Sequence, residues 1–194
     1  VSVREEIFPA ERRLEYVQTE WAEGWTAGAA GFGYAAEFLT KNAPSFGATI
    51  DQAGLAVFFL QRHRVELILK DLLGFLAVEF PPTHSLRRLW ELCQEGFKSS
   101  DLDWDEFQSE NGEFVEALIA VDDGAATFRF PVDRDGAQID RPAFIDLKAL
   151  NRHADKLYWE AAGCMDYLWE AKAQVQAIEA DVGGDEAPDW GDDY

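Results

Sequence analysis

Residues 58–73 read FFLQRHRVELILKDLL. At about 100° per residue, Arg62, His63, Glu66 and Lys70 fall within roughly a quarter-turn of one helix, on the same stripe as Phe59 and Leu73. Phe58, Leu60, Val65, Leu67, Leu69, Leu72 and Leu76 occupy much of the remaining circumference. A helix that is apolar around most of its girth belongs deep inside a packed protein. Its charged stripe must then be paired or must serve a cleft, because an isolated buried charge is costly. Two readings follow. The stripe is a buried ion network that fixes helix register, or it is a functional pocket. In the second, Arg62 can clamp a carboxylate or phosphate and His63 can transfer protons near neutral pH. Glu66, one turn from both Arg62 and Lys70, can orient or neutralise them.

Outward from this helix the pattern stays helical. Asp51 is a plausible N-cap, and Pro81-Pro82 stop the helix after about Phe80. Thr83 or Ser85 can cap the next helix, where Leu86, Leu89, Trp90 and Cys93 recur at helical spacing. Upstream, Ala10–Trp21 read as a short charged helix and Thr26–Lys41 as a helix rich in Gly and Ala. Downstream, Ser99–Asp105 read as an acidic connector and Glu113–Val121 as another helix. Asp146 caps a final long helix from Leu147 to about Asp181, with Leu150, Ala154, Leu157, Ala161, Met165 and Leu168 as its core stripe.

Strand signals are confined to residues 122–140, DDGAATFRFPVDRDGAQID. Gly124, Pro131 and Asp135-Gly136 signal turns there, so a small hairpin over Phe128–Gln138 or an irregular insertion is expected before the last helix. Residues 185–194 contain acids and no base and are expected to be a disordered tail, leaving 1–184 as a single all-α domain.

Composition limits the function. The net charge of −20 opposes a broad phosphate-binding surface, so RNA could be held only in a local basic cleft. The 7 Trp and 14 Phe point to a bulky core or an aromatic contact surface. Cys93 and Cys164 belong to no CxxC pair, show no zinc spacing with the three histidines and are expected to be buried free thiols; no metal or cofactor is expected. No run of about 18 apolar residues is present, so no membrane partner is expected and the cytoplasm is the default location.

Three further features could carry chemistry. His84, just after Pro81-Pro82-Thr83, could face a cleft or assist a helix cap. Arg129 and Asp133 flank the proline-fixed turn FRFPVDRDG and could deliver a charged pair to the mouth of the bundle or simply pin the loop. Arg152-His153 point about 100° apart and are expected to be solvated.

The order of three elements resembles bacterial HEPN-like proteins. Their long helix reads F-L-x-R-H-x-x-E-L-x-L-K, matched by Phe59, Leu60, Arg62, His63, Glu66, Leu67, Leu69 and Lys70. An H-x-L-x-x-L-W helix is matched by His84, Leu86, Leu89 and Trp90. An F-R-Y-P-x-D-x-x-G turn is matched by Phe128, Arg129, Pro131, Asp133 and Gly136, with Phe130 in place of Tyr. The resemblance spans about Asp51 to Leu168 and implies a helical bundle, often a homodimer. It further implies metal-independent RNA cleavage, a part in bacterial defence, or non-catalytic assembly. The ribonucleases of this group carry Arg, four to six residues, then His, and no arginine here precedes a histidine at that spacing.

The expectation is therefore a binding or regulatory module, tied to bacterial defence or stress. Arg62, His63, Glu66, Lys70, His84, Arg129 and Asp133 would form a charged pocket for an anionic ligand, or would serve assembly with a protein partner. The rival is a ribonuclease in which His63 or His84 deprotonates a ribose 2′-hydroxyl and Arg62, Lys70 or Arg129 stabilises the phosphorane. A third reading, from charge alone, is an acidic mimic of nucleic acid.

Overall fold

The computed structural model describes residues 25–43, 49–127, 132, 135–139 and 141–183. These form five helices: α1 (Trp25–Asn42), α2 (Ile50–Phe75), α3 (Leu86–Phe97), α4 (Trp104–Asp122) and α5 (Leu147–Gly183). The expected all-α bundle is present, and no described residue lies in a strand. The expected helix at Ala10–Trp21, the acidic tail and the turn residues Arg129 and Asp133 lie outside the described residues.

The 26-residue α2 is the axis of the bundle and packs against α1, α3 and α5. Every residue from Arg64 to Lys70 is buried, as expected of a helix apolar around most of its girth. α1 runs antiparallel to it: Gly28 meets Leu67, and Phe32 meets His63. Ala29, Gly33 and Ala36 form the buried face of α1, so its small residues serve close helix packing. α5 runs in the same direction as α2, with Leu147 beside Gly54, Asn151 bonded to Gln61 and Asp155 paired with Arg64. Trp90 and Phe97 of α3 interlock with Trp104 and Phe107 of α4 through ring contacts of 4.8–5.6 Å.

Helix boundaries depart from the sequence reading in three places. Thr49, not Asp51, caps α2, and it does so as a capping box: the Gln52 N–H donates to the Thr49 hydroxyl and the Thr49 N–H to the Gln52 side chain. α2 ends at Phe75, ahead of the prolines, in a Schellman motif. The Val78 N–H donates to the Leu73 carbonyl (3.0 Å) and the Ala77 N–H to that of Gly74 (3.2 Å), with Ala77 at φ 57°. The motif lacks the glycine that normally announces it. α4 begins at Trp104, well before Glu113, because Asp103 accepts the Glu106 N–H and Asp105 and Glu106 favour the positive end of the helix. Of the expected connector, residues 99–103 precede the helix, and only its last two positions, Trp104 and Asp105, belong to the helix.

Ser85 caps α3 and Asp146 caps α5, both as expected. Most of the expected hairpin over Phe128–Gln138 lies outside the described residues; among those described, one antiparallel bridge joins Val132 to Gln138. Cys93 is buried, whereas Cys164 is only half-buried. Arg152 and His153 are exposed as expected, although the His153 ring stacks on Phe114 at 5.5 Å. Among the described residues, no helix is long and apolar enough to cross a membrane.

Candidate functional site

The α2 stripe converges on Glu66, which is fully buried. One carboxylate oxygen, Oε2, accepts from Arg62 Nη1; the other, Oε1, accepts from Lys70 Nζ at 2.6 Å. His84 arrives from the α2–α3 loop and places Nδ1 2.9 Å from Oε1. His63 Nδ1 stands 3.7 Å from Oε2, its ring set between Phe32 (4.8 Å, edge-on) and Phe59 (6.0 Å, stacked). Four of the expected site residues are thus brought to the carboxylate of a fifth, Glu66.

Burial alone pushes the Glu66 carboxyl up. The His63, Lys70 and His84 contacts and the Arg62 charge together outweigh it and hold the group well below the usual carboxylate range. An ionised carboxylate only accepts hydrogen bonds, so the neutral His84 ring carries its proton on Nδ1 and leaves a lone pair on Nε2. With the His84 side chain 64% exposed, Nε2 is the nitrogen available to solvent. Lys70 is nearly buried and lies 5.2 Å from the centre of the Trp25 ring, a cation–π contact that replaces part of its lost hydration.

Arg62 behaves differently from the ligand clamp its residue type suggests. It is fully buried. Besides Glu66 it donates to three backbone carbonyls: Asp122 through Nε at 3.1 Å, Asp123 through Nη2 at 2.5 Å, and His84 through Nη2. The carbonyls of Asp122 and Asp123 lie at the C-terminus of α4, where a cation also complements the helix dipole. Asp123 completes the junction. Its carbonyl accepts the Leu86 N–H, and its carboxylate accepts the Ser85 hydroxyl and the Arg87 N–H. Four guanidinium donations are therefore made inside the protein.

A second buried polar chain was not anticipated. Gln61 donates to Asn151 at 2.8 Å, and Asn151 to the Thr40 hydroxyl at 3.1 Å, joining α2, α5 and α1. Arg64, 4% exposed, pairs with Asp155 at 2.5 Å and lies over the Tyr158 ring at 4.8 Å. Arg64 also rests on Gly33, where a Cβ would stand 2.5 Å from the guanidinium carbon. Helical periodicity puts Gln61 and Arg64 on a common face, three residues apart, but their partners come from helices distant in sequence.

Among the described residues, no group of three or more His, Cys, Asp or Glu side chains could hold a metal ion. Both thiols are poor nucleophiles at neutral pH. Burial pushes the Cys93 thiol far up, and burial with the Glu160 and Glu106 charges pushes Cys164 up to about 11. No family model matches the chain, and no curated protein and no solved structure matches it.

Proposed function

We propose that the protein is a HEPN-like binding or regulatory module whose contact point is the solvent edge of the Glu66 network. His84 is the principal contact, with His63 and Lys70 beside it, and the ligand is an anion of the phosphate class. The observation that carries this reading is the division of labour around Glu66. Arg62 is engaged entirely with the protein, whereas the 64% exposed His84 ring is anchored at Nδ1 and free of Glu66 at Nε2. An anchored ring loses less rotamer freedom on binding, and once protonated it donates to an anion through Nε2.

The test is a titration with inorganic phosphate and, separately, a short RNA oligonucleotide, following the His63 and His84 ring resonances by NMR. Saturable shifts at both rings are expected. His84→Ala should weaken binding about tenfold, the loss of one charge-assisted hydrogen bond. Unshifted rings up to millimolar ligand would remove the proposal.

One observation favours a second reading, a metal-independent ribonuclease. A histidine held by a carboxylate through Nδ1 has the form of a general base. Against it stands Arg62, whose engagement leaves no free guanidinium for a phosphorane. Incubation of an RNA pool without metal separates the two. The binding module leaves RNA intact, and cleavage abolished in His63→Ala, His84→Ala would establish the ribonuclease.

A further inference from the structure

A cavity of about 160 Å³ lies between α1, α2 and α5, lined by Tyr34, Glu37, Arg64, Asp155, Tyr158 and Trp159. Arg64 and Glu66 are two positions apart, about 200° around the helix, so this cavity and the Glu66 cluster are on opposite sides of α2. The space is smaller than the ~300–1,000 Å³ of drug-sized sites and suits a small metabolite. Arg64 forms its buried wall. Both hydrogen bonds of that side chain, to Gln61 and Asp155, are made by Nη1. Nε is buried without a partner, and among the described residues nothing accepts from Nη2. Buried donors are nearly always bonded, so Arg64 carries an unmet demand beside an open space. Nε and Nη2 together form one edge of the guanidinium fork, an edge that holds a carboxylate through two parallel N–H···O bonds.

The acids in the lining decide the charge of the ligand. Asp155 accepts from Arg64 through Oδ1, and Glu37 accepts from Lys41 through Oε1. Among the described residues, nothing donates to the second oxygen of either carboxylate. Both side chains are about half-exposed. Asp155 already balances Arg64, and Lys41 balances Glu37. A bare anion would bring a second negative charge to a paired guanidinium, and like charges side by side are costly. A zwitterion adds no net charge and answers both needs. Its carboxylate accepts from the free edge of Arg64, and its ammonium donates to a free oxygen of Asp155 or Glu37. The remaining walls are aromatic. Tyr158 meets Trp159 edge-on at 5.2 Å, and Tyr34 and Trp159 are 74% and 70% exposed, leaving large ring area for an apolar side chain to cover.

We infer that this cavity binds a free α-amino acid with an apolar side chain, carboxylate on Arg64, ammonium on Asp155 or Glu37, and side chain against Tyr34 and Trp159. The test is calorimetric titration near neutral pH with L-phenylalanine, with hydrocinnamate, which lacks the ammonium, and with phenethylamine, which lacks the carboxylate. L-Phenylalanine should bind with a millimolar or tighter Kd, and each analogue at least about tenfold more weakly, having lost one charged hydrogen-bonding group. Trp159→Ala should weaken L-phenylalanine by about threefold or more through the lost ring contact. Trp169→Ala, which removes an exposed ring outside the cavity, should leave affinity unchanged. Arg64→Lys keeps the charge opposite Asp155 but removes the fork, and should bring L-phenylalanine down to the level of phenethylamine. The Trp159 variant alters an exposed side chain and keeps the test decisive if Arg64→Lys fails to fold. Absence of binding at tens of millimolar L-phenylalanine would overturn the inference. So would equal binding of hydrocinnamate, which marks a plain anion site, or of phenethylamine, which marks a cation site. Unchanged affinity in Trp159→Ala would place the ligand elsewhere and overturn it as well.

Discussion

Arg62 and His84 are joined twice, once through the backbone and once through Glu66. The Arg62 guanidinium donates to the His84 carbonyl, while the His84 ring and Arg62 Nη1 sit on opposite oxygens of the same carboxylate. Loop, helix and ring are consequently fixed by one buried ion cluster, and each depends on Glu66 keeping its charge.

Removing that charge leaves Arg62 and Lys70 in the interior without their counter-ion. Glu66→Ala should cost about 3–5 kcal/mol, the usual penalty for breaking one side of a buried pair. Urea unfolding followed by circular dichroism measures it. A midpoint equal to wild type would mean that Glu66 is not the keystone of the cluster.

The same group sets the acid limb. Its folded pKa lies below the ordinary 4.5, so its stabilisation is complete above about pH 4.5 and is lost as pH falls from there toward the lowered value. The gap in stability between wild type and Glu66→Gln should therefore be constant near neutrality and narrow below about pH 4.5. Unfolding at a series of pH values checks this, and a gap that widens on acidification would reverse the sign.

Two glycines of α1 give opposite predictions. At Gly33 a methyl group would meet the Arg64 guanidinium, which is held between Asp155 and Tyr158 and has little room to retreat. Gly33→Ala should destabilise by about 1–3 kcal/mol through overpacking. Gly31 is exposed and has nothing within 4 Å, so Gly31→Ala should stabilise by up to about 1 kcal/mol through helix propensity. Melting temperatures of the pair must move in opposite directions.

Ala77 holds the left-handed position that ends α2. A left-handed Ala costs about 1–2 kcal/mol that a Gly avoids, partly offset by the entropy that Gly loses on folding. Ala77→Gly should raise stability by about 0.5–1 kcal/mol, read from the same denaturation curves. Destabilisation would show that the turn depends on the Ala methyl group.

The fold was legible because α2 declares itself: a helix apolar on most sides can only be an axis. The cluster was legible for the same reason, since Arg62, His63, Glu66 and Lys70 share one element and local periodicity fixes their relation. His84 required only a short loop. What stayed hidden depends on backbone or on distance. The carbonyls of Asp122 and Asp123 that engage Arg62 have no sequence signature, because every residue has a carbonyl. Asn151 and Asp155 reach α2 only after the chain has folded across some ninety positions. The end of α2 was misplaced because Ala77 occupies a site where pattern reasoning waits for glycine.

The junction of α3 and α4 has a consequence for motion. The first N–H groups of α3 and the last carbonyls of α4 close on one another through Asp123, and Arg62 seals both from below. Helix ends normally fray independently, each at little cost. Here, opening either end uncovers a buried guanidinium that the other cannot satisfy alone. The two termini should therefore open only together, as one cooperative unit, with amide exchange at Leu86 and Arg87 approaching that of the helix interiors.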